Sequence, residues 1–435
     1  MAIGGENGVL NGDHHRIHYI DLAYNSADSE ASALRLVLSI RPEWKEADSK
    51  VEFVRFTDGI TNTLLKAVNK RAGLTKEQID SEAILLRAYG HGTDLIIDRH
   101  RETQNHELLM RYGLAPELLA RFQNGMMYRF IQGSVTHPED LRKPGIYRAV
   151  ARRLAEWHAV VPCIRGHTGH SRKNSKVDGA AVAALDSSLG DAEFQAALDD
   201  VAPGKPPPNV WTVMQKWIFA LPTETEAQRA RQAELQQELK SLVSDLSQRP
   251  GLGDNGLVFA HCDLLSGNVI VLPESQATNG DQNPEPTVTF IDYEYATPSP
   301  AAFDLANHFA EWGGFDCDFS VLPTRAQRRE FITEYIDSYF ERLDQKQPGA
   351  MARVDKAAEV EKLLVEVDHF RGVPGFYWGI WAMIQATISE IDFDYASYAE
   401  TRLGEYYAWK AEVTGERLKS GKEMPLRERR WAQKE

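Results

Sequence analysis

The chain is poor in cysteine, with only three among 435 residues. Cys163, Cys262 and Cys317 lie far apart, and no two of them have the CxxC spacing of a zinc-binding pair. This argues against a disulfide framework or a structural zinc site. It favours a reducing compartment, which we expect to be the cytoplasm.

Long apolar runs and an excess of basic charge are also missing. No apolar stretch approaches the roughly 20 residues that a membrane-spanning helix needs. The first residues, MAIGGENGVLNGDHH, lack a basic segment followed by an apolar core, so we expect no membrane span and no signal peptide. The formal net charge of −14 argues against nucleic acid as a partner, because phosphate contacts need clustered Lys and Arg.

The first third of the chain has the alternating pattern of strands. The predicted strands are Val51–Phe56, Thr63–Val68, Ala83–Tyr89 and Met126–Ile131, with one helix at Asp98–Tyr112. Later segments are predicted to be mainly helical, including Tyr147–Val160, Glu224–Gln248 and Phe376–Ile391. Two short strands are predicted at Asn268–Leu272 and Thr287–Asp292.

This change in pattern predicts an α+β protein with two lobes. We expect a leader with a short helix at residues 1–50, a small β-rich lobe at 51–133 and a larger, mostly helical lobe at 134–435. A hinge is predicted near Phe130–Ser134.

The segment FAHCDLLSGNVIV (Phe259–Val271) places polar side chains inside an apolar stretch. His261, Asp263 and Asn268 have the spacing H-x-D-x₄-N. In phosphoryl transfer, an Asp at this position accepts the proton of an attacking hydroxyl, and the Asn binds a metal ion. A lone H-x-D is common by chance, but the Asn and the apolar flanks favour the functional interpretation.

A second acidic motif, TFIDYEYA (Thr289–Ala296), follows it. Asp292 stands at the end of an apolar strand, as the metal-binding Asp of a kinase does. Magnesium prefers oxygen ligands. Glu294 would lie on the same face if the strand continued, and could then hold a second ion. The alternative is that both are ordinary carboxylates at a surface strand end.

The turn TDGITN, between the first two predicted strands, is by itself a weak signal for phosphate binding. Arg87 lies on the third predicted strand, Ala83–Tyr89, at the position where a kinase has its phosphate-contacting base. Glu102 lies on the helix that follows. An ion pair between them would aim the guanidinium at nucleotide phosphates. The alternative for Arg87 is a solvated strand residue.

With PSPAAFDLANHFAEW and FYWGIWAMIQATISEIDFDYASYAE, these motifs resemble the choline/ethanolamine kinase family. The resemblance runs from about Val51 to Trp409, apart from insertions. It implies a bilobal protein-kinase-like fold, with a small β-rich N-terminal lobe and a larger, mostly helical C-terminal lobe. It also implies ATP as co-substrate, Mg²⁺ as cofactor and an amino alcohol as the second substrate.

The resemblance assigns roles to individual residues. Asp263 and Arg87 are expected to be catalytic, and Asn268 and Asp292 to bind magnesium, with Glu294 as the further candidate ligand. The nucleotide is expected to contact Gly59, Thr61, Asn62, Arg87 and Glu102, and the backbone near Arg129 and Ile131. The amino-alcohol pocket is expected to be formed by Tyr295, Glu311, Trp378, Trp381 and Tyr398, beside Asp263. Asp58 stands where the family usually has the first Gly of its turn.

The substrate could be ethanolamine or choline. A primary ammonium needs hydrogen-bond acceptors and a trimethylammonium needs an aromatic cage, and the chain supplies both. The segments MYRFIQG, DGITN and HCDLL resemble ethanolamine-type members. We therefore predict phosphorylation of ethanolamine to phosphoethanolamine, the first step of phosphatidylethanolamine head-group synthesis, with a choline or dual-specificity kinase as the alternative.

Other classes of protein also stay open. One is another small-molecule kinase, of the aminoglycoside or methylthioribose phosphotransferase type, which would not need the two tryptophans. Another is a pseudokinase that acts as a scaffold, although a scaffold has no need to keep the base and the metal ligands. The sequence is also compatible with a homodimer.

Overall fold

The computed structural model describes residues 17–56, 62–90, 92–163, 208–253, 255–273, 285–389 and 391–435. The packing of the chain defines two units. The first contains residues 1–90 and 116–131, and the second contains residues 91–115 and 132–435.

The first unit is built on a six-stranded sheet. Its strands are β1 (His18–Ile20), β2 (Lys50–Phe56), β3 (Asn62–Lys70), β4 (Ile84–Tyr89), β5 (Leu118–Phe122) and β6 (Gly125–Arg129). Their spatial order is β1-β5-β6-β4-β3-β2, and all neighbours are antiparallel except β1 and β5. The four strands predicted from alternation are confirmed. β1 and β5 were not predicted.

The described residues of the segment predicted as a leader, 17–50, supply part of this unit's sheet and core. β1 extends the sheet, and helix α1 (Ser29–Ile40) buries Ala33, Leu36 and Val37 completely. These three residues have the i, i+3, i+4 spacing of one helix face, and they join the sheet residues in a single apolar cluster with Trp44. The structure therefore differs from the predicted boundary at residue 50, because the preceding 34 described residues (17–50) supply sheet and core. Helix α2 (Lys76–Glu82) completes the unit.

The second unit is mainly helical. Its helices are α3 (Arg99–Arg111), α4 (Pro144–Val160), α5 (Val210–Phe219), α6 (Glu226–Leu246), α7 (Ala301–Ala310), α8 (Arg325–Lys346), α9 (Lys356–Phe370), α10 (Val373–Ile388), α11 (Tyr395–Val413), α12 (Glu416–Ser420) and α13 (Leu426–Ala432). Helix α3 was predicted correctly as a helix but was assigned to the N-terminal lobe, whereas the packing groups it with the second unit.

Short strands in the second unit hold the segments that carry the candidate site. They are β7 (Ser134–Val135), β8 (Val258–Ala260), β9 (Val269–Val271), β10 (Val288–Phe290) and β11 (Thr297–Ser299). They form two antiparallel sheets, β10-β9-β7 and β11-β8. The loop between β8 and β9 carries the H-x-D-x₄-N motif. The predicted α+β class, with a small sheet-rich part and a larger helical part, is confirmed.

Helices α10 and α11 approach closely because two glycines lie between them. A Cβ atom at Gly379 would lie 2.6 Å from the Leu403 side chain, and one at Gly375 would lie 2.5 Å from the carbonyl oxygen of Arg402. Any larger residue at either position would force the helices apart. Of the described helices, none has the length and apolar character needed to cross a membrane.

Candidate active site

The loop between β8 and β9 is held by one buried carboxylate on α7. Asp304 accepts the backbone N–H groups of His261 at 2.9 Å and Cys262 at 2.8 Å, and it lies 3.0 Å from Nε2 of His158. Cys262 adopts a left-handed backbone conformation (φ 63°), which is unfavourable for a side chain with a Cβ. Its carbonyl accepts a bond from Asn307, so α7 fixes both sides of this turn.

Asp263 and Asn268 meet within this loop. The side-chain amide of Asn268 donates to the backbone carbonyl of Asp263 at 2.7 Å and to its Oδ2 at 3.1 Å. Among the described residues, no group forms a hydrogen bond with Oδ1 of Asp263, although the atom is buried. This oxygen is therefore positioned to accept a proton from a bound hydroxyl group.

Strand pairing brings Asp292 to the same loop. In the β9–β10 pair, Phe290 lies opposite Val269. The next residue, Ile291, donates its N–H to the carbonyl of Asn268 at 3.0 Å and accepts a bond from His261 at 3.0 Å. Asp292 follows immediately in a left-handed conformation (φ 64°). The structure thus brings Asp263, Asn268 and Asp292 together, as the sequence predicts.

Asp263 is surrounded by other carboxylates, and its pKa responds to their negative charge. Burial raises this pKa well above its usual range, and the charges of Asp292, Glu311 and Glu294 raise it further. A cation bound among these carboxylates would relieve their repulsion. The donors are carboxylate and amide oxygens, which suit Mg²⁺. Within the described ranges, however, no group of three or more His, Cys, Asp or Glu side chains is arranged to hold a metal ion.

Glu294 has a different environment from the one its sequence position suggests. β10 ends at Phe290 and the chain turns, so Glu294 does not share a strand face with Asp292. The strand does not continue as that placement of Glu294 required, and its role as a metal ligand stays a prediction. Glu294 Oε2 lies 3.3 Å from Nη1 of Arg99, and the same nitrogen contacts Glu102 at 2.9 Å. Arg99 was not identified from the sequence.

The predicted nucleotide-binding residues lie mostly in the first unit. Gly59 and Thr61 are outside the described residues, and Asn62 begins β3. Arg87 is buried on β4, so the solvated alternative does not apply to it. Its predicted pair with Glu102 would join the two units and stays a prediction.

At the predicted hinge, backbone groups are already used within the first unit. The N–H of Arg129 donates to Glu117 at 3.0 Å, and the N–H of Phe130 donates to Ala83 at 3.0 Å. The Arg129 side chain pairs with Glu117 at 2.8 Å. The N–H of Arg129 is therefore not available to an adenine ring, and contact with the backbone of Ile131 stays a prediction.

Three of the predicted pocket aromatics form one group. Trp381 donates its indole N–H to the hydroxyl of Tyr295 at 2.8 Å, and Trp378 donates to Oδ1 of Asn307 at 2.8 Å. The two indoles meet edge to face at 5.5 Å, and Tyr295 meets Trp378 in the same way at 5.7 Å. These bonds fix the ring orientations. Asn307 was missed because an Asn on an apolar helix gives no local signal of its partner.

Glu311 and Tyr398 converge on a residue that was also missed. Both terminal nitrogens of Arg402 lie 3.3 Å from Oε1 of Glu311, and Nη1 donates to the Tyr398 hydroxyl at 3.2 Å. Burial raises the pKa of Glu311, and the charge of Arg402 lowers it in part. The i, i+4 spacing of Tyr398 and Arg402 was the available signal, because it places both on one helix face.

The fold and this arrangement of Asp263, Asn268 and Asp292 define a kinase-like phosphotransferase. A sequence model described as choline/ethanolamine kinase matches residues 53–407. The chain belongs to the choline/ethanolamine kinase family.

Individual relatives have about one third of their residues in common with this chain. Ethanolamine kinase 1 from Mus musculus is 31% identical over 391 residues, which cover 88% of this chain and 90% of the relative. A probable ethanolamine kinase from Nematostella vectensis is 32% identical over 386 residues, covering 88% and 94%.

Solved structures show the same fold. A Plasmodium vivax ethanolamine kinase superposes with a TM-score of 0.61 at 23% identity, covering 88% of this chain and 89% of the other. A choline kinase from Cryptosporidium parvum superposes with a TM-score of 0.51 at 20% identity, covering 91% and 99%. At these identities the likeness concerns the fold alone.

Proposed function

We propose that this chain transfers the γ-phosphoryl group of ATP to the hydroxyl of ethanolamine. The observation that carries the proposal is the buried Asp263 carboxylate, whose Oδ1 accepts no hydrogen bond from the described residues while Oδ2 is fixed by Asn268. Family membership and the relatives named ethanolamine kinase support the choice of substrate.

In the proposed reaction, Asp263 accepts the hydroxyl proton as the substrate oxygen attacks the γ-phosphorus. The bond between that phosphorus and the β–γ bridging oxygen breaks, and ADP leaves. Asn268 and Asp292 would hold Mg²⁺, which supplies positive charge against the phosphate oxygens. Glu294 stays a candidate second ligand, but its carboxylate is already paired with Arg99.

The amine end of the substrate would be recognised by charge and by aromatic faces. Glu311 supplies an anion, and Tyr295, Trp378, Trp381 and Tyr398 supply rings. A primary ammonium can donate directly to the carboxylate, which favours ethanolamine. A second candidate substrate is choline, because two indoles that meet edge to face suit a quaternary ammonium.

The product, phosphoethanolamine, would enter phospholipid head-group synthesis as its first intermediate. We propose the cytoplasm as the site of the reaction. Within the described part of the chain, neither Cys262 nor Cys317 forms a disulfide, which suits a reducing compartment.

A direct assay tests the proposed function. Purified protein is given ATP, Mg²⁺ and either ethanolamine, choline or an aminoglycoside, and the phosphorylated product is identified by ³¹P resonance or mass. We expect the highest kcat/KM with ethanolamine, and a kcat lower by at least roughly 100-fold in the Asp263→Asn variant. A choline kcat/KM tenfold above that for ethanolamine would reverse the substrate choice. Absence of magnesium-dependent ATP turnover with every alcohol would favour a scaffold role.

A further inference from the structure

A continuous chain of buried charges leads from Glu311 to the C-terminal helix α13. Acidic and basic side chains alternate along it, and each one contacts the next. In order, the members of this ion chain are Glu311, Arg402, Glu405, Arg427, Glu428 and Arg371. The first five side chains are at most 6% exposed. Three positive and three negative groups balance along its length.

At the pocket end, Arg402 holds one oxygen of Glu311. Nη1 and Nη2 both contact Oε1 at 3.3 Å, and none of the described residues donates to Oε2. Glu311 is thereby held with one oxygen anchored and the other left as an acceptor. Such an arrangement suits a ligand cation that donates an N–H group.

Arg402 is in turn held by Glu405 one helical turn along α11. Nε of Arg402 lies 3.1 Å from Oε1 of Glu405, and Oε2 of Glu405 accepts a hydrogen bond from Nε of Arg427 at 3.0 Å. Glu405 is therefore divided between two arginines. Its position, and through it that of Arg402, depends on Arg427.

Arg427 is fixed on the far side by its own partners on and next to α13. Its Nη1 donates to Glu428 at 3.0 Å, and its Nη2 donates to the carbonyl oxygen of Arg371. Arg371 also pairs with Glu428 at 2.9 Å. Three donor atoms of Arg427 thus bind three different residues, so the guanidinium has a single orientation.

We infer that Arg427 is a positioning residue for amino-alcohol recognition, acting through Glu405 and Arg402 on the orientation of Glu311. The inference rests on the proposed function, in which Glu311 binds the ammonium group. When the charge of Arg427 is removed, Glu405 keeps Arg402 as its remaining cationic partner in the ion chain. Arg402 then turns towards Glu405 and loosens its hold on Oε1 of Glu311.

The test compares two arginines of the same helix. Arg427→Gln removes the buried member of the ion chain. Arg429→Gln removes an arginine that is 52% exposed and pairs with Glu423 at 2.6 Å on the surface. We expect Arg427→Gln to raise the KM for ethanolamine about tenfold, equivalent to about 1.4 kcal/mol. The KM for ATP and kcat should stay within about twofold, and Arg429→Gln should match the wild type. An unchanged KM for ethanolamine in Arg427→Gln would overturn the inference.

Two further variants separate positioning from general destabilisation. Arg427→Lys keeps the charge without the guanidinium fork, and it should restore at least half of the lost affinity; it also serves if the Gln variant does not fold. In a Glu311→Gln background, Arg427→Gln should change the KM for ethanolamine no further. An additional tenfold loss there would show that Arg427 acts by another route.

A spectroscopic measurement tests the role of Arg427 independently of which substrate the enzyme uses. The carboxyl ¹³C signal of Glu311 is followed in protein labelled at glutamate Cδ and assigned with Glu311→Gln. It should shift in Arg427→Gln and stay in place in Arg429→Gln, whatever alcohol the enzyme phosphorylates. Failure of the wild type to use ethanolamine would refute the proposed function alone, whereas an unmoved Glu311 signal in Arg427→Gln would refute the ion chain's role.

Discussion

The carboxylate of Asp304 accepts the backbone N–H of Cys262 at 2.8 Å and so holds a left-handed residue directly before Asp263. The same carboxylate also binds the N–H of His261 and the ring of His158. Its pKa is lowered, because the hydrogen bonds and the charge of His158 outweigh the opposing effect of burial. Asp304 is thus a structural acceptor that braces the loop.

Asp304→Asn should destabilise the protein, because an amide has one acceptor oxygen where the carboxylate has two. We expect the free energy of unfolding to fall by about 3–5 kcal/mol, measured by urea denaturation. Asp337→Asn, which disturbs an exposed pair with Lys356, should change it by less than about 1 kcal/mol. Equal stability of the Asp304 variant and the wild type would contradict the bracing role.

Asp263→Asn should remove the proton acceptor without removing the nucleotide site. We expect kcat to fall by roughly 10²–10⁴-fold, the usual contribution of a general base. ATP binding, followed by calorimetry, should be unchanged. A variant that retains the wild-type rate would show that another group accepts the proton.

Asp292→Ala should weaken the dependence of nucleotide binding on magnesium. In the wild type we expect ATP to bind more tightly when Mg²⁺ is present, because Asp292 and Asn268 supply oxygen ligands. In the variant this gain should largely disappear, and turnover should be lost with it. Calorimetric titration of ATP with and without Mg²⁺ measures both cases. If Mg²⁺ strengthened ATP binding as much in the variant as in the wild type, residues other than Asp292 would bind the metal.

The sequence predicts that Asp263, Asn268 and Asp292 lie together, because their positions depend on one short loop and one pair of neighbouring strands. Asp263 and Asn268 lie on one short loop, and the strand before Asp292 pairs with the strand after Asn268. Two apolar strands at the right separation were therefore enough to bring the three side chains together. The position of Glu294 was predicted less well, since it depended on where a three-residue strand ends.

The ion chain could not be predicted from the same kind of pattern. Arg402 and Glu405 are three residues apart on α11, a spacing that is typical of solvated pairs on helix surfaces. Whether such a pair is buried depends on the glycines of α10, which let the two helices approach, and on α13. Similarly, α1 has a clear apolar face, but its partner sheet lies further along the chain.

Trp381→Ala should weaken binding of the amino alcohol and leave ATP binding alone. A cation over an indole gains about 0.5–2 kcal/mol, so we expect the KM for ethanolamine to rise roughly 2–30-fold. Tyr295→Phe is the matched control, because it removes only the hydroxyl that accepts the Trp381 N–H at 2.8 Å. Its effect should be smaller. If the KM rose for ATP and not for the alcohol, Trp381 would not belong to the pocket that binds the amine.

His308 gives the protein a predictable loss of stability in acid. Its Nδ1 donates to the carbonyl of Leu264 at 2.9 Å and its Nε2 accepts the indole N–H of Trp312 at 3.4 Å, so the ring is neutral. Burial lowers its pKa to about 4. Because the unfolded chain binds a proton near pH 6.5, this contribution is complete above that pH and is lost as the pH falls towards about 4.

Between pH 7 and pH 5 the loss from His308 should be about 2 kcal/mol. His308→Asn keeps a donor for the Leu264 carbonyl but cannot titrate. The fall in unfolding free energy between these two pH values, measured with urea, should therefore be about 2 kcal/mol smaller in this variant than in the wild type. His100→Asn, an exposed change on α3, serves as the control and should leave the fall unchanged. If His308→Asn and the wild type lost the same stability, His308 would bind a proton as readily in the folded protein as in the unfolded chain, which would contradict its lowered pKa.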